Sequence, residues 1–558
     1  MKPIRLLWVV VFAACTSARP TPEPAPTPTP PAATPAPTQP QPTTPAPTAA
    51  PLTEAPRDWQ LLDRGTDRVT GISLRRAERE LLASKQPQRT VIVAVIDGGI
   101  DTAHAGLKAN LWTNPKEVAG NARDDDSNGY ADDTRGWNFI GGKDGKSVNE
   151  DALEVTRLHA RCTNPTNGAG ARLPQPDAAT CTRAREEYEK ERAETEQLSQ
   201  QVQQISVVSS RVNEILRRAM NTDSLTRTNV SSFSPTSVET QQAKAMWLRL
   251  ADAGISEKDL EEAKEDIESK LKYGLNTSFD PRGTVGDNYA NPHERHYGNS
   301  DVMGPDAKHG THVAGIIGGV RGTPDGVDGI ATNVKLMMIR TVPDGDERDK
   351  DVANAIRYAV DNGAQIINMS FGKGFSPEKA VVDEAVKYAD SKGVLMVHAA
   401  GNDGENLAEK PSFPTPTYVG GGRPNNWIEV GASSWKGLDS LAAPFSNYGK
   451  AQVDVFAPGV DILSTVPGGG YERQSGTSMA APVVSGLAAM LMSYYPNLTA
   501  ADVKRILLES ATRYADQTVV RPGEAGGTVR FGDLSATGGI VNAYEAVKLA
   551  EQLSATKP

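Results

Sequence analysis

The sequence predicts an α/β protein, a doubly wound and mostly parallel sheet flanked by helices, with a helical subdomain inserted into it. Three observations predict it. Short runs of Val, Ile, Leu and Met recur without polar alternation, as in strands covered by helices on both faces. Amphipathic stretches closed by Gly separate several of these runs. A long polar stretch, rich in Glu, Gln, Arg, Lys and Ala, interrupts the alternation between Thr182 and Ser269.

The strands come first in order. Val91–Ile96 is a continuous β-branched run, and similar runs stand at Val334–Ile339, Gln365–Ser370, Val394–Val397 and Trp427–Val430. Asp351–Asn362 has apolar residues at helical spacing and stops at Gly363, and Pro377–Lys392 repeats the plan and stops at Gly393. Strand–helix–strand order places ligands at the carboxyl ends of the strands. The 182–269 stretch carries scattered Leu, Ile and Val at helical intervals and reads as two or three long, exposed helices. No clean heptad runs far enough for a coiled coil.

Composition narrows the class. Of 39 Pro in 558 residues, 15 fall between Pro20 and Pro56, in a Thr- and Ala-rich window that cannot build a core. Net charge is −10, which does not favour nucleic acid as a partner. No apolar run reaches the roughly 18–20 residues of a membrane span.

The N-terminus reads as an address. Lys2 and Arg5 precede the apolar run Leu6–Ala14, the pattern of a signal peptide over residues 1–14. Ala13-Ala14-Cys15 resembles a bacterial lipobox, with Phe12 where an aliphatic residue is usual. Cys15 is therefore the expected lipidation site, and residues 15–57 the spacer behind it. This predicts export and a lipid anchor in the bacterial cell envelope, or plain secretion if cleavage falls nearby. Cys162 and Cys181, 19 residues apart, read as one disulfide in an exported chain. No His or further Cys at zinc-finger spacing favours a metal site there.

Three points carry chemistry. Asp97 ends the first strand before Gly98-Gly99. His309 opens the small-residue pattern HGTHVAGI. Ser478 lies in SGTSMAAP at the start of an apolar helix, with Pro482 near its first turn. A Ser hydroxyl needs a base to take its proton, and the base needs a third group to orient it. The order Asp, His, Ser is one of three known for such triads.

On VAVIDGGID, HGTHVAGI, IINMSFG, AAGN and SGTSMAAP, the chain resembles the subtilisin-like serine proteases over about Asp58–Ile140 and Asp287–Leu549. The resemblance implies a subtilisin-like fold and a serine endopeptidase acting on polypeptides, with no cofactor for catalysis. Asp97 would orient His309, His309 would act as base then acid, and Ser478 would attack. Asn402 and the Ser478 N–H would hold the oxyanion. Ser370, Phe371 and Gly372 would form a strand edge for an extended peptide, and Ala399, Ala400 and Gly401 the opposite wall of an apolar pocket. His312 would be structural. Gly98 replaces the usual Ser or Thr, and Lys308 stands where a small residue is frequent and is expected to face solvent. The competing reading is a non-catalytic surface binding module on the same fold.

The 212 residues between Asp97 and His309 require an insertion, placed at 141–286, which divides the catalytic domain into 58–140 and 287–550 and leaves 551–558 as a tail. Asp124, Asp126, Asn128 and Asp132, with Gly129, resemble the first half of a calcium loop; Arg135 stands where an EF-hand has Glu. Structural calcium is expected there. His293 and His296 read as surface residues. The segment Asp58–Thr90 is too short for a folded inhibitory propeptide, and its helical pattern Leu74–Leu82 is expected to pack on the catalytic domain. Nothing indicates an oligomeric state.

Overall fold

The computed structural model describes residues 52–166, 172–323, 325–523 and 527–557. The signal sequence, Cys15 and nearly all of the Pro/Thr-rich spacer lie outside the described residues.

The chain divides into two compact units. One comprises Pro56–Val208 and Glu257 onwards, and the other includes Ser209–Ser256.

The larger unit is built on a nine-stranded sheet. Its strands are β1 Val91–Asp97, β2 Gly136–Asn138, β3 Val334–Arg340, β4 Ile366–Met369, β5 Leu395–Ala399, β6 Trp427–Ser433, β7 Val455–Pro458, and the late β10 Thr512–Arg513 and β13 Gly539–Ile540. Between them, β8 Ile462–Val466 and β9 Gly470–Gln474 form one antiparallel hairpin, and β11 Thr518–Val520 and β12 Thr528–Arg530 another. The order is β10-β13-β7-β6-β5-β4-β1-β3-β2, and every pairing in this sheet is parallel except β10 with β13. The five strands read from the sequence are all present. β2 and the C-terminal strands, of two or three residues, are too short for a periodicity signal, and β7 is cut short by Asp454 before it and Pro458 at its end.

Strand order reverses at β1, which lies between β3 and β4. Crevices form at the carboxyl ends of strands at such a reversal. Asp97 ends β1, Ser370 follows β4 and Ala399 ends β5, so the topology gathers the predicted site residues on one edge.

Alternation of side chains assigns the two faces. Ala94, Ile96, Met337, Ile339, Ile367, Met369 and Met396 pack with Val352, Ile356, Val382 and Val386 of the helices Asp349–Asp361 and Lys379–Ser391. Asn368 points the other way, where its Oδ1 accepts from Ser485 Oγ of the helix Thr477–Tyr494 at 2.8 Å. Contrary to the expectation that no apolar run is long enough, that 18-residue helix could cross a membrane by length and composition alone; it is the core helix, 89% buried inside the protein.

The polar stretch is helical as predicted. Its elements are Ala178–Met220, Arg227–Ser232, Val238–Asp252 and Glu257–Ser269. The smaller unit has its own apolar cluster of Val212, Leu216, Val230 and Ala243.

In the larger unit, the chain on either side of these helices is pinned by buried ion pairs. Arg282 pairs with Asp287 at 2.7 Å and Asp351 at 2.6 Å, Arg348 with Asp151 at 2.7 Å and Asp280 at 2.8 Å, and Lys373 with Glu154 at 2.8 Å and Asp349 at 2.9 Å. Cys162 and Cys181 are joined by a disulfide with a Cα–Cα separation of 5.7 Å.

The 58–90 segment packs on the same unit. Trp59 is fully buried and its Nε1 donates to the Val460 carbonyl at 3.0 Å, while Leu74, Ala77 and Leu82 are buried. At the other end, the helix Ala543–Ala555 runs beyond residue 550, so most of the expected tail is helix with Ala550 buried.

Candidate active site

Asp97 and His309 meet at the reversal point. The His309 Nδ1 lies 2.8 Å and 3.0 Å from the two carboxylate oxygens of Asp97. A carboxylate only accepts, so Nδ1 carries the proton and Nε2 keeps a free lone pair. Asp97 is 2% exposed, whereas the imidazole is 43% exposed. Close approach of the helix Lys308–Gly318 to β1 allows this. A Cβ on Gly310 would stand 2.3 Å from the Gly99 carbonyl oxygen and 3.1 Å from Asp97 Cβ, so only Gly fits. Burial lowers the proton affinity of His309, but the charge and hydrogen bond of Asp97 outweigh it, and the net shift is upward.

His312, one turn later, has a different environment. Its Nε2 lies 3.0 Å from both the Ile462 and Glu472 carbonyls, and burial pulls its pKa down to about 3. It is a neutral residue tying the helix to the β8–β9 hairpin. Lys308 does not simply face solvent. Half exposed, it pairs with Glu472 of β9 at 2.8 Å, and that bond raises its own pKa.

Ser478 is the second residue of the helix Thr477–Tyr494, where backbone N–H groups have no intrahelical acceptor. Its Oγ donates to the Ser370 carbonyl at 3.1 Å, and Ser370 Oγ donates to the Ser478 carbonyl at 3.0 Å. The second bond accounts for Pro482. Pro482 is not in the first turn as expected: it is sixth in the helix and four residues after Ser478. It has no N–H for the Ser478 carbonyl, and the Ser370 hydroxyl supplies the donor instead.

Asn402 is exposed beside this helix start. Its Oδ1 accepts from the Thr477 N–H at 2.8 Å and from Thr477 Oγ1 at 3.0 Å. With its oxygen committed to Thr477, its NH2 is the end left to donate. Gly401 has φ 103°, and a Cβ there would stand 2.3 Å from Asn447 Nδ2, so the bend before Asn402 requires Gly. Ala399 and Ala400 are buried behind it. After β4, Phe371 is partly buried and Gly372 exposed, and the chain then pairs antiparallel, Lys373 with Phe413. The contacts of Thr477 with Asn402 and of the Ser370 hydroxyl with the Ser478 carbonyl are not announced by the motifs, although both residues lie inside them.

The acidic loop is rearranged relative to expectation. Asp124 and Asp126 come together with Glu117, their oxygens within 4.8 Å of one another. Asn128 instead donates to Asp133 at 3.0 Å, and Asp132 accepts from the Gly120 and Ala122 amides at 2.8 Å and 2.6 Å. Spacing within the loop could not point to Glu117, which reaches in from outside it. Three carboxylates in this geometry are the hard oxygen donors that suit calcium. His293 and His296 are exposed.

Comparison with known proteins gives a consistent result. Residues 88–526 match the model of the subtilase family. The chain is 44% identical over 186 residues to a thermophilic serine proteinase of Bacillus sp. (strain AK1), covering 33% of this chain and 42% of that protein. It is 36% identical over 241 residues to alkaline elastase YaB of Bacillus sp. (strain YaB), covering 43% and 55%. It is 37% identical over 211 residues to subtilisin DY of Bacillus licheniformis, covering 37% and 72%. The chain thus spans about half the length of the first two relatives. The solved prenylagaramide maturation protease PagA is 32% identical with a TM-score of 0.35, covering 44% of this chain and 82% of that one.

Proposed function

The chain belongs to the subtilase family, and on that footing we propose that it is a serine endopeptidase using Asp97, His309 and Ser478. The carrying observation is the Asp97–His309 pair, with His309 Nδ1 held at 2.8 Å and Nε2 left as the base. Ser478 Oγ rests on the Ser370 carbonyl, and the mechanism requires it to turn from that carbonyl to Nε2. It attacks the scissile carbonyl as Nε2 takes its proton. The Ser478 N–H and the NH2 of Asn402 receive the oxyanion, and His309 then protonates the leaving amine. Water hydrolyses the acyl-enzyme by the same steps in reverse.

The substrate is a polypeptide. Ser370–Gly372 would pair with it as an added strand, and the small neutral walls Ala399, Ala400 and Gly401 suit an apolar side chain before the cleaved bond. Structural calcium at Glu117, Asp124 and Asp126 belongs to the proposal, as do export and lipidation at Cys15, which rest on the N-terminal sequence pattern alone.

Ser478→Ala should abolish casein cleavage and labelling by a fluorophosphonate while the fold survives. Unchanged proteolysis in that variant would sink the reading, and a wild type that never labels would favour a non-catalytic binding module. Cys15→Ser should release the protein from membranes.

A further inference from the structure

His398 sits on β5, one residue before the Ala399–Ala400 wall, on the sheet face opposite the Ser478 helix. It is fully buried. In the parallel register its Cα partners are Met369 on β4 and Glu429 on β6. Its Nδ1 lies 2.8 Å from Glu429 Oε1 and its Nε2 2.9 Å from the Phe371 carbonyl. Glu429 Oε2 in turn accepts from Trp427 Nε1 at 2.8 Å. The Phe371 and Trp427 rings pack around the imidazole, with centroids 6.4 Å and 5.4 Å away.

A backbone carbonyl has no proton to give, so Nε2 must be the donor to Phe371. A carboxylate also only accepts, so Nδ1 donates too. Both bonds together require an imidazolium, buried and paired. Successive carbonyls of an extended chain point to opposite sides. Fixing Phe371 from below therefore sets the direction of the Ser370 and Gly372 backbone groups above. Neither neighbouring strand supplies this bond, because β4 ends at Met369.

We propose that the buried His398–Glu429 pair is a positioning element for substrate: it holds the Phe371 carbonyl and thereby orients the 370–372 edge that an extended peptide pairs with. This rests on the peptidase reading given above. Burial disfavours the charged imidazole, but Glu429 outweighs it and the net shift of His398 is upward. The other charged groups around the pair are Glu347, whose charge also favours the imidazolium, and Asp454, which accepts the Glu429 N–H at 2.8 Å. Loss of the Nε2 proton at alkaline pH would leave Nδ1–H on the Glu429 carboxylate and set a lone pair against the Phe371 carbonyl, releasing it.

The test is steady-state hydrolysis by the full-length protein of an extended oligopeptide anilide and of a single-residue ester, with fluorophosphonate labelling of Ser478. His398→Gln should raise KM for the oligopeptide by about tenfold or more, the size of a hydrogen bond to a charged group. Ester hydrolysis and labelling should change far less. Wild-type KM for the oligopeptide should rise at alkaline pH. Glu429→Gln, whose NH2 can donate to a neutral Nδ1, should remove that rise; this arm carries the test if His398→Gln fails to fold. Unchanged oligopeptide KM in His398→Gln, equal losses on ester and oligopeptide, or an intact alkaline rise in Glu429→Gln would each overturn the proposal while the peptidase reading stands. A wild type that neither cleaves nor labels would overturn both.

Discussion

Ser370 Oγ donates to the Ser478 carbonyl at 3.0 Å, at the place in the helix where Pro482 has no N–H to offer. One hydroxyl thus replaces a missing helix bond at the nucleophile and ties it to the edge that would carry substrate. Ser370→Ala should cost about 1–3 kcal/mol, the penalty of an orphaned buried acceptor. In a Pro482→Ala background the restored backbone N–H can take the carbonyl, and the cost of Ser370→Ala should shrink. Urea unfolding of the four proteins measures this coupling, and additive effects would contradict it.

The Asp97–His309 bond sets a pH dependence. His309 has its pKa raised above the ordinary imidazole value of about 6.5. A general base works only when unprotonated, so kcat/KM should rise with pH and reach half its plateau above that value. Asp97→Asn removes the charge that raises the pKa, so the residual activity should have its midpoint moved to lower pH. A pH–rate profile of both proteins tests the sign.

Arg282 is 2% exposed and serves two buried carboxylates, Asp287 and Asp351. Arg282→Ala leaves Asp351 without its cation and should cost about 3–5 kcal/mol. Denaturant unfolding gives the value. A loss below about 1 kcal/mol, as for an exposed pair, would show that the network does not hold this region.

Glu117, Asp124 and Asp126 predict stabilisation by calcium. A chelator should lower the melting temperature, and Glu117→Gln should reduce that shift. An Asp132→Asn variant should keep it, because Asp132 lies outside the cluster of Glu117, Asp124 and Asp126. Elemental analysis showing no metal, with no shift on chelation, would reject the site.

The fold class, the five main strands and the two Gly-capped helices were legible in the amino-acid order alone, as were the candidate residues Asp97, His309, Asn402 and Ser478 on which the proposed function rests. Each announces itself locally: a β-branched run, a helical period, a catalytic residue type inside a short motif. Which groups meet across long separations emerged only on folding. Glu117 joins Asp124 and Asp126 while Asn128 donates to Asp133 and Asp132 accepts from the amides of Gly120 and Ala122, because the folded path of the loop, not its residue spacing, sets which oxygens converge. Lys308 finds Glu472 because the β8–β9 hairpin folds back over the helix. His398 finds Glu429 only through strand register, 31 residues away. Pro482 carries no visible requirement until Ser370, 108 residues from Ser478, arrives to satisfy its neighbour. Periodicity and motif record what a residue needs from its own segment. The partner of a buried charge or an orphaned carbonyl is set by packing, which is not written at any one place in the chain.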